Sequence, residues 1–356
     1  MYDVAIAGGG PAGLAAAIRS ARRGFRTVLF ERSSGVPDKA CGEGLMPSGL
    51  GELHRLGVRV DAEHSAPFRG IRYIQEDGTV LEAPFRGAQG LGIRRTALAR
   101  ALRERARECG AELRQGSVSA AVSQERSIEL HADESVLDAR LAIAADGLHS
   151  PLRRAAGLLG DGPPAPARFG IRRHFALPPW TDFVEVYWAP GVEAYVTPVG
   201  PRSVNVALLR ERDAGEDFDA LLQRFPSLRE KTRGAPIESE LRGAGPLLQR
   251  VRARWAGRLA LIGDAAGYVD AITGQGLSLA FAASAILLES LPDDLSTDLG
   301  PALRRYDAGV RTRWLEYALP ARALVALSRR PALRRAALHA VAKVPKAFPA
   351  LVRVFA

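Results

Sequence analysis

The 356-residue chain is 47% hydrophobic and 25% charged, a balance that excludes a disordered or fibrous polypeptide and suggests two globular domains. Two cysteines, Cys41 and Cys109, exclude a disulfide framework, and His54, His64, His131, His149, His174 and His339 are too scattered for a metal site, so none is expected. The net charge of +10 is concentrated: Tyr317 to Ala356 contains eight basic residues and no acidic one, which argues against a general nucleic-acid-binding surface.

Tyr2 to Ala7 reads as a strand, Gly8-Gly9-Gly10-Pro11-Ala12-Gly13 as a tight turn and Leu14 to Ile18 as the opening of a helix. In such a unit Gly8 permits the turn, Gly10 admits a pyrophosphate and Gly13 lets helix and strand pack closely, with the helix N-terminus facing the phosphate charge. Phe25 to Phe30 predicts a second parallel strand ending in Glu31, an acidic residue placed to accept both hydroxyls of an adenosine ribose. This points to FAD or NAD without a 2′-phosphate.

Further on, Ile71 to Gln75 and Thr79 to Ala83 flank Glu76-Asp77-Gly78 as a hairpin, and Thr96 to Cys109 predicts a helix. Arg140 to Gly147 and Arg258 to Asp264 are apolar strands that each end in an aspartate. Singly, Asp146 and Asp264 read as turn or cap residues; a carboxylate at such a strand end can also accept a ribityl hydroxyl, which favours FAD. Phe183 to Trp188, Glu193 to Thr197 and Ser203 to Leu208 predict antiparallel strands of one sheet over the cofactor, and proline-rich Gly160 to Pro166 marks a crossing between domains. The expected organisation is a cofactor domain from residues 1–60, 91–160 and 250–300, a substrate sheet from 61–90 and 161–249, and a helical region over 301–356.

That last region mixes Leu, Val, Ala and Phe with Arg322, Arg329, Arg330, Arg334, Arg335, Lys343, Lys346 and Arg353 at helical spacing, broken by Pro331, Pro345 and Pro349. It reads first as a helical cap packing its apolar side on the body, a reading compatible with peripheral contact with an anionic membrane. The chain opens directly on a strand and no apolar run reaches membrane-span length, so a cytoplasmic protein is expected.

The ordered set Gly8-x-Gly10-x-x-Gly13, Arg95-x-x-Leu98, Ala145-Asp146-Gly147-x-x-Ser150-x-x-Arg153, Gly263-Asp264-Ala265-Ala266 and Gly274-Gln275-Gly276 resembles the aromatic-hydroxylase-like FAD superfamily, which includes flavin monooxygenases, flavin-dependent halogenases and geranylgeranyl reductases. Lys39-Ala40-Cys41-Gly42-Glu43-Gly44-Leu45-Met46-Pro47 and Asp270 to Gly276 look closest to the geranylgeranyl-reductase branch and its hydroxylase relatives, although Ala271 stands where the family usually has proline.

The resemblance implies an α/β, glutathione-reductase-type Rossmann-like domain, an antiparallel substrate sheet, a C-terminal helical segment and non-covalent FAD. It also implies site roles. Gly8, Gly10, Pro11, Ala12, Gly13 and Glu31 would hold the adenosine diphosphate, with Arg32 and Val118 flanking the adenosine. Arg95, Asp146, Gly147, Gly263 and Asp264 would contact the pyrophosphate and ribityl chain, while Gly274, Gln275, Gly276 and Leu277 bring a helix N-terminus to the flavin N1 and O2 edge. Cys41, Gly42, Glu43 and Leu45 would pass beside the isoalloxazine, making Cys41 and Glu43 the candidate catalytic residues.

Phe183, Tyr187, Trp188 and Tyr195 suit a fence for a flat or lipophilic substrate, although strand aromatics are core residues more often than ligands. The halogenase branch's tryptophan-x-tryptophan-x-isoleucine-proline signature is absent, and Tyr195-Val196-Thr197-Pro198 only partly matches the reductase branch's motif. These features rank first a monooxygenase that hydroxylates a lipophilic aromatic or polyketide-like secondary metabolite with molecular oxygen through a flavin C4a-hydroperoxide. A reductase of prenyl or alkene double bonds is the alternative, and a non-catalytic flavin-binding protein a third reading. Without a second glycine fingerprint, NAD(P)H binds transiently or an external reductase supplies the electrons.

Overall fold

The computed structural model describes residues 1–161, 167–211, 217–344 and 346–353. Tyr2–Ala7 is central to an eight-stranded sheet running Trp255–Ala256, Leu259–Leu261, Ser135–Ala144, Tyr2–Ala7, Thr27–Glu31, Glu112–Gln115. The four pairings from Leu259–Leu261 to Glu112–Gln115 are parallel. Val118–Ser123 and Ile128–Ala132 extend the sheet antiparallel from Ser135–Ala144.

Strand alternation explains the nearly continuous apolar run. Val4 and Ile6 join one core with helices Pro11–Arg22, Arg95–Glu108 and Gly276–Ser290. Ala5 and Ala7 point into another beneath the antiparallel extension. Strand order reverses at Tyr2–Ala7, with Thr27–Glu31 on one side and Ser135–Ala144 on the other. Its C-terminal end is the switch-point crevice where such sheets bind ligands.

A second sheet of seven strands runs Arg242–Ala244, Arg168–Phe175, Ser203–Glu211, Val192–Gly200, Val184–Ala189, Gly70–Ile74, Val80–Pro84. It contains the expected hairpin around Glu76-Asp77-Gly78 and all three expected antiparallel strands. One face is covered by helices Phe218–Leu222 and Pro226–Thr232. The other meets the loop after Val269 and the C-terminal helices.

Between the sheets lies a three-stranded one of Gly44–Leu45, Gly90–Ile93 and Ser65–Phe68, which the sequence did not suggest. Residues 91–160 therefore open on this small sheet and not on the cofactor sheet. Gly92 explains the close stacking, because a Cβ there would lie 1.8 Å from the Pro198 carbonyl oxygen. Of the proline-rich crossing, residues 162–166 fall outside the described residues.

The C-terminal region folds as helices Gly300–Ser328, Pro331–Ala342 and Ala347–Arg353. Pro331 begins a helix, where its missing N–H costs nothing; Pro349 lies in the first turn of the last helix, and Pro345 is outside the described residues. The acidic hairpin tip receives the basic tail. Fully buried Arg334 binds Glu76 at 2.6 Å and lies 5.2 Å from the Trp188 ring, while Phe348 packs on Tyr73. This is the helical cap. No helix among the described residues is long and apolar enough to cross a membrane.

Candidate functional site

The fingerprint glycines have distinct jobs. Gly8 adopts φ +109°, and a Cβ there would lie 2.3 Å from the Ala145 carbonyl oxygen; a Cβ on Gly13 would lie 2.0 Å from that of Gly8. Gly8 lets two strand ends approach, and Gly13 lets the helix pack on the turn. Gly10 differs, because the nearest atom to its would-be Cβ is Arg95 Nη2 at 3.8 Å. The space is reserved on the ligand side. The helix from Pro11 has no side-chain cap, so its first N–H groups are free to bind an anion. Glu31 accepts from the Gly9 and Ser33 N–H groups at 2.7 and 3.0 Å, which fixes its carboxylate at the end of its strand.

The two later motifs converge on this point. A Cβ on Gly263, at φ +60°, would sit 2.8 Å from Ala12 Cβ, so the Gly263–Ala266 turn abuts the start of the fingerprint helix. Arg153 holds it there, donating to the Asp264 and Ala265 carbonyls at 3.2 Å and to that of Leu148 at 2.8 Å. Ser150 Oγ accepts from Arg153 N–H, so the serine and arginine of this motif have structural duties. Asp264 keeps accessible surface although protein surrounds it, as a group on a cleft wall does. Burial raises its carboxyl above the usual range, opposed by Arg95, Lys39 and Arg153. Lys39, which the motif contains without a role, has its ammonium 3.6 Å from where a Gly147 Cβ would stand.

These groups fit a dinucleotide. Arg95 Nη1 and Asp146 Oδ1 are buried without a hydrogen-bond partner among the described residues, the condition of groups that await a ligand. Opposite them, the helix Gly276–Ser290 starts after Gln275 with no side-chain cap, and Gly274, at φ +67°, has open space where a Cβ would point. Leu277 sits in the first turn, its N–H among the free donors. Arg32 is exposed beyond Glu31, and Val118 is buried against the core that contains Phe30. Leu45 is fully buried beneath the fingerprint helix, so its side chain supports the wall and does not line it.

The segment carrying the catalytic candidates is anchored to the seven-stranded sheet. Asn205 Nδ2 donates to the Cys41 carbonyl at 2.9 Å and Thr197 Oγ1 to that of Gly42 at 2.8 Å. Cys41 is half-buried, and desolvation raises its thiol, which therefore keeps its proton. Glu43 stands at φ +59°, rare for a residue with a side chain, and both its oxygens are engaged. Oε1 accepts from Arg95 N–H at 2.7 Å and Oε2 from His174 Nε2 at 2.6 Å. Glu43, one of the two candidate catalytic residues, is thus a buried anchor at the start of the Arg95 helix, and His174, one of the scattered histidines, is fully buried as its partner. Ser239 Oγ holds the other ring nitrogen at 2.8 Å.

The four aromatics do not form one fence. Trp188 and Tyr195 lie in the core facing the C-terminal helices, whereas Tyr187 points through the opposite face and donates to Glu185. Phe183 is fully buried under the guanidinium groups of Arg69 and Arg72. Strand alternation separates Tyr187 from Trp188. Tyr195 comes nearest the cofactor loop, donating to the Ile272 carbonyl at 3.0 Å. That loop is also held by Arg168, whose Nε lies 2.9 Å from Asp270, and by Tyr317, which donates to the Asp270 carbonyl.

Comparison with known proteins agrees with this construction. Menaquinone reductase of Mycobacterium tuberculosis is 28% identical over 334 residues, covering 86% of this chain and 81% of its own length. Digeranylgeranylglycerophospholipid reductase of Methanocella arvoryzae is 29% identical over 331 residues, covering 87% and 83%. In fold, the flavin-dependent brominase Bmp2 aligns with a TM-score of 0.84 at 17% identity, over 99% of this chain and 93% of its own. Halogenase PltM, in complex with phloroglucinol and FAD, aligns at 0.79 and 18%, over 92% and 76%. The FAD binding domain model matches residues 1–306, the span that contains every motif brought together at the switch point; the chain belongs to that family and is an FAD-dependent oxidoreductase.

Proposed function

We propose that the protein reduces a carbon–carbon double bond of a lipophilic, isoprenoid-type substrate. The observation that carries this reading is the Cys41 thiol, half-buried on a segment pinned by Asn205 and Thr197 and kept protonated by desolvation. Two reductases of isoprenoid lipids among the relatives support it, and reverse the order in which the motifs rank hydroxylation and reduction.

Bound, reduced FAD supplies a hydride equivalent. Saturating a double bond then requires one more proton at the neighbouring carbon. Cys41 Sγ would give that proton and recover it from solvent, so two electrons and two protons enter the product in all. Asn205 and Thr197 fix the Cys41 and Gly42 carbonyls that follow the thiol, while Glu43 accepts from the Arg95 backbone N–H at the start of its helix. Hydroxylation remains the second reading, favoured by the partial motif Tyr195-Val196-Thr197-Pro198.

The pH dependence tests the assignment. An acid with a raised pKa loses its proton only above the ordinary thiol value of about 8.5, so the single-turnover reduction rate should stay level to that pH and fall beyond it. Cys41→Ala should lower that rate by about 100-fold and abolish the alkaline limb while leaving FAD content unchanged. A Cys41→Ala enzyme with the wild-type rate and pH profile would remove the thiol from the mechanism.

A further inference from the structure

We propose that the outward side of the helices Gly300–Ser328 and Pro331–Ala342 is a docking surface for an anionic lipid bilayer. Their inward sides are spent on the core, through Tyr317, Ala318, Ala321, Leu324 and Leu338. The outward sides carry two apolar stripes at helical spacing, all exposed: Leu315, Leu319, Ala323 and Ala326, then Leu333, Ala336 and Ala340, with Val344 exposed just past the second helix. Leu319, Leu333 and Val344 are 63%, 52% and 55% exposed, unusual for large apolar side chains on a cap that has already found its core.

Charge selects the partner. Of the tail's basic residues, Arg329 pairs with Glu211, and Arg334 and Arg335 with Glu76. Arg330, Lys343 and Lys346 remain exposed with no ion pair among the described residues. Two copies of this chain would repel across such a face. Nucleic acid would leave its leucines in water. An anionic bilayer satisfies both, taking the apolar side chains into the headgroup boundary and the cations onto its phosphates.

The same long helix also borders the cofactor wall. Val310, Arg313, Trp314 and Tyr317 of the same long helix line an apolar cleft with Leu279 and Ile286, and that cleft includes Asp264 and Gly276 of the cofactor wall. Delivery of substrate from the bilayer rests on the reductase reading; the docking surface rests on exposure and charge alone.

Co-sedimentation of the holoenzyme with phosphatidylcholine vesicles, with and without phosphatidylglycerol, provides the test. Binding should require phosphatidylglycerol and weaken with salt. The combined change Arg330→Glu, Lys343→Glu, Lys346→Glu should weaken it at least about tenfold, and Leu319→Asp with Leu333→Asp should do likewise, with FAD content and melting temperature unchanged. Wild-type protein that stays in the supernatant, or sediments equally as wild type and triple variant, would overturn the proposal. So would a dimer in sedimentation velocity that Leu319→Asp dissolves. Vesicle binding without alkene reduction would contradict the reductase reading and leave the surface standing.

Discussion

Gly10 and Gly13 belong to one motif, yet the space around them assigns opposite consequences to the same substitution. Gly10→Ala meets no protein atom closer than 3.8 Å, so the apoprotein should melt as wild type while FAD affinity falls by at least about tenfold. Gly13→Ala drives a methyl to 2.0 Å from a backbone oxygen, and should lower apoprotein stability by about 1–3 kcal/mol. Denaturant melts of both apoproteins with an FAD fluorescence titration separate the two; an equally destabilised Gly10→Ala would contradict the open space. At Glu43 the partner was not legible, since His174 is 131 positions away and a lone histidine carries no pattern. His174→Phe leaves a buried carboxylate half-satisfied, and should cost about 3 kcal/mol or more in the same melts and weaken FAD through Arg95. The alkaline limb assigned to Cys41 should not move.

Elements were legible where their period was strong. The fingerprint strand and helix, the hairpin at Glu76-Asp77-Gly78 and the helix Arg95–Glu108 lie within a few residues of where alternation and glycine spacing put them. The small sheet was not, because Gly44–Leu45 and Gly90–Ile93 are short and glycine-rich and exist through their pairing, not through propensity. The aromatic fence failed for a different reason: adjacent strand residues Tyr187 and Trp188 must face opposite ways. The loop Asp270–Gly274 lacks the family's usual proline and is held instead from three separate elements by Arg168, Tyr195 and Tyr317. Tyr195→Phe keeps the ring and removes the bond to Ile272, so it should cost about 1 kcal/mol in thermal melts and speed FAD loss on dilution. Unchanged FAD retention would show that the loop does not need this tether.

At the scale of the molecule, the motifs of the candidate cofactor site are legible in the sequence, because glycines and strand-end carboxylates sit in short stretches whose geometry is local. The chemistry is less legible, since Cys41 acquires its setting from Asn205 and Thr197 on another sheet. The central claim is that this setting serves reduction of a double bond. It is tested most directly by one turnover of photoreduced holoenzyme with a geranylgeranyl lipid, which has no quinone ring to accept the electrons, split between an anaerobic vessel and one admitted to ¹⁸O₂, with products read by mass spectrometry. Reduction predicts a product two hydrogens heavier in the anaerobic vessel, with no ¹⁸O in either. A product that forms only under oxygen and carries the heavy atom would contradict it and establish hydroxylation.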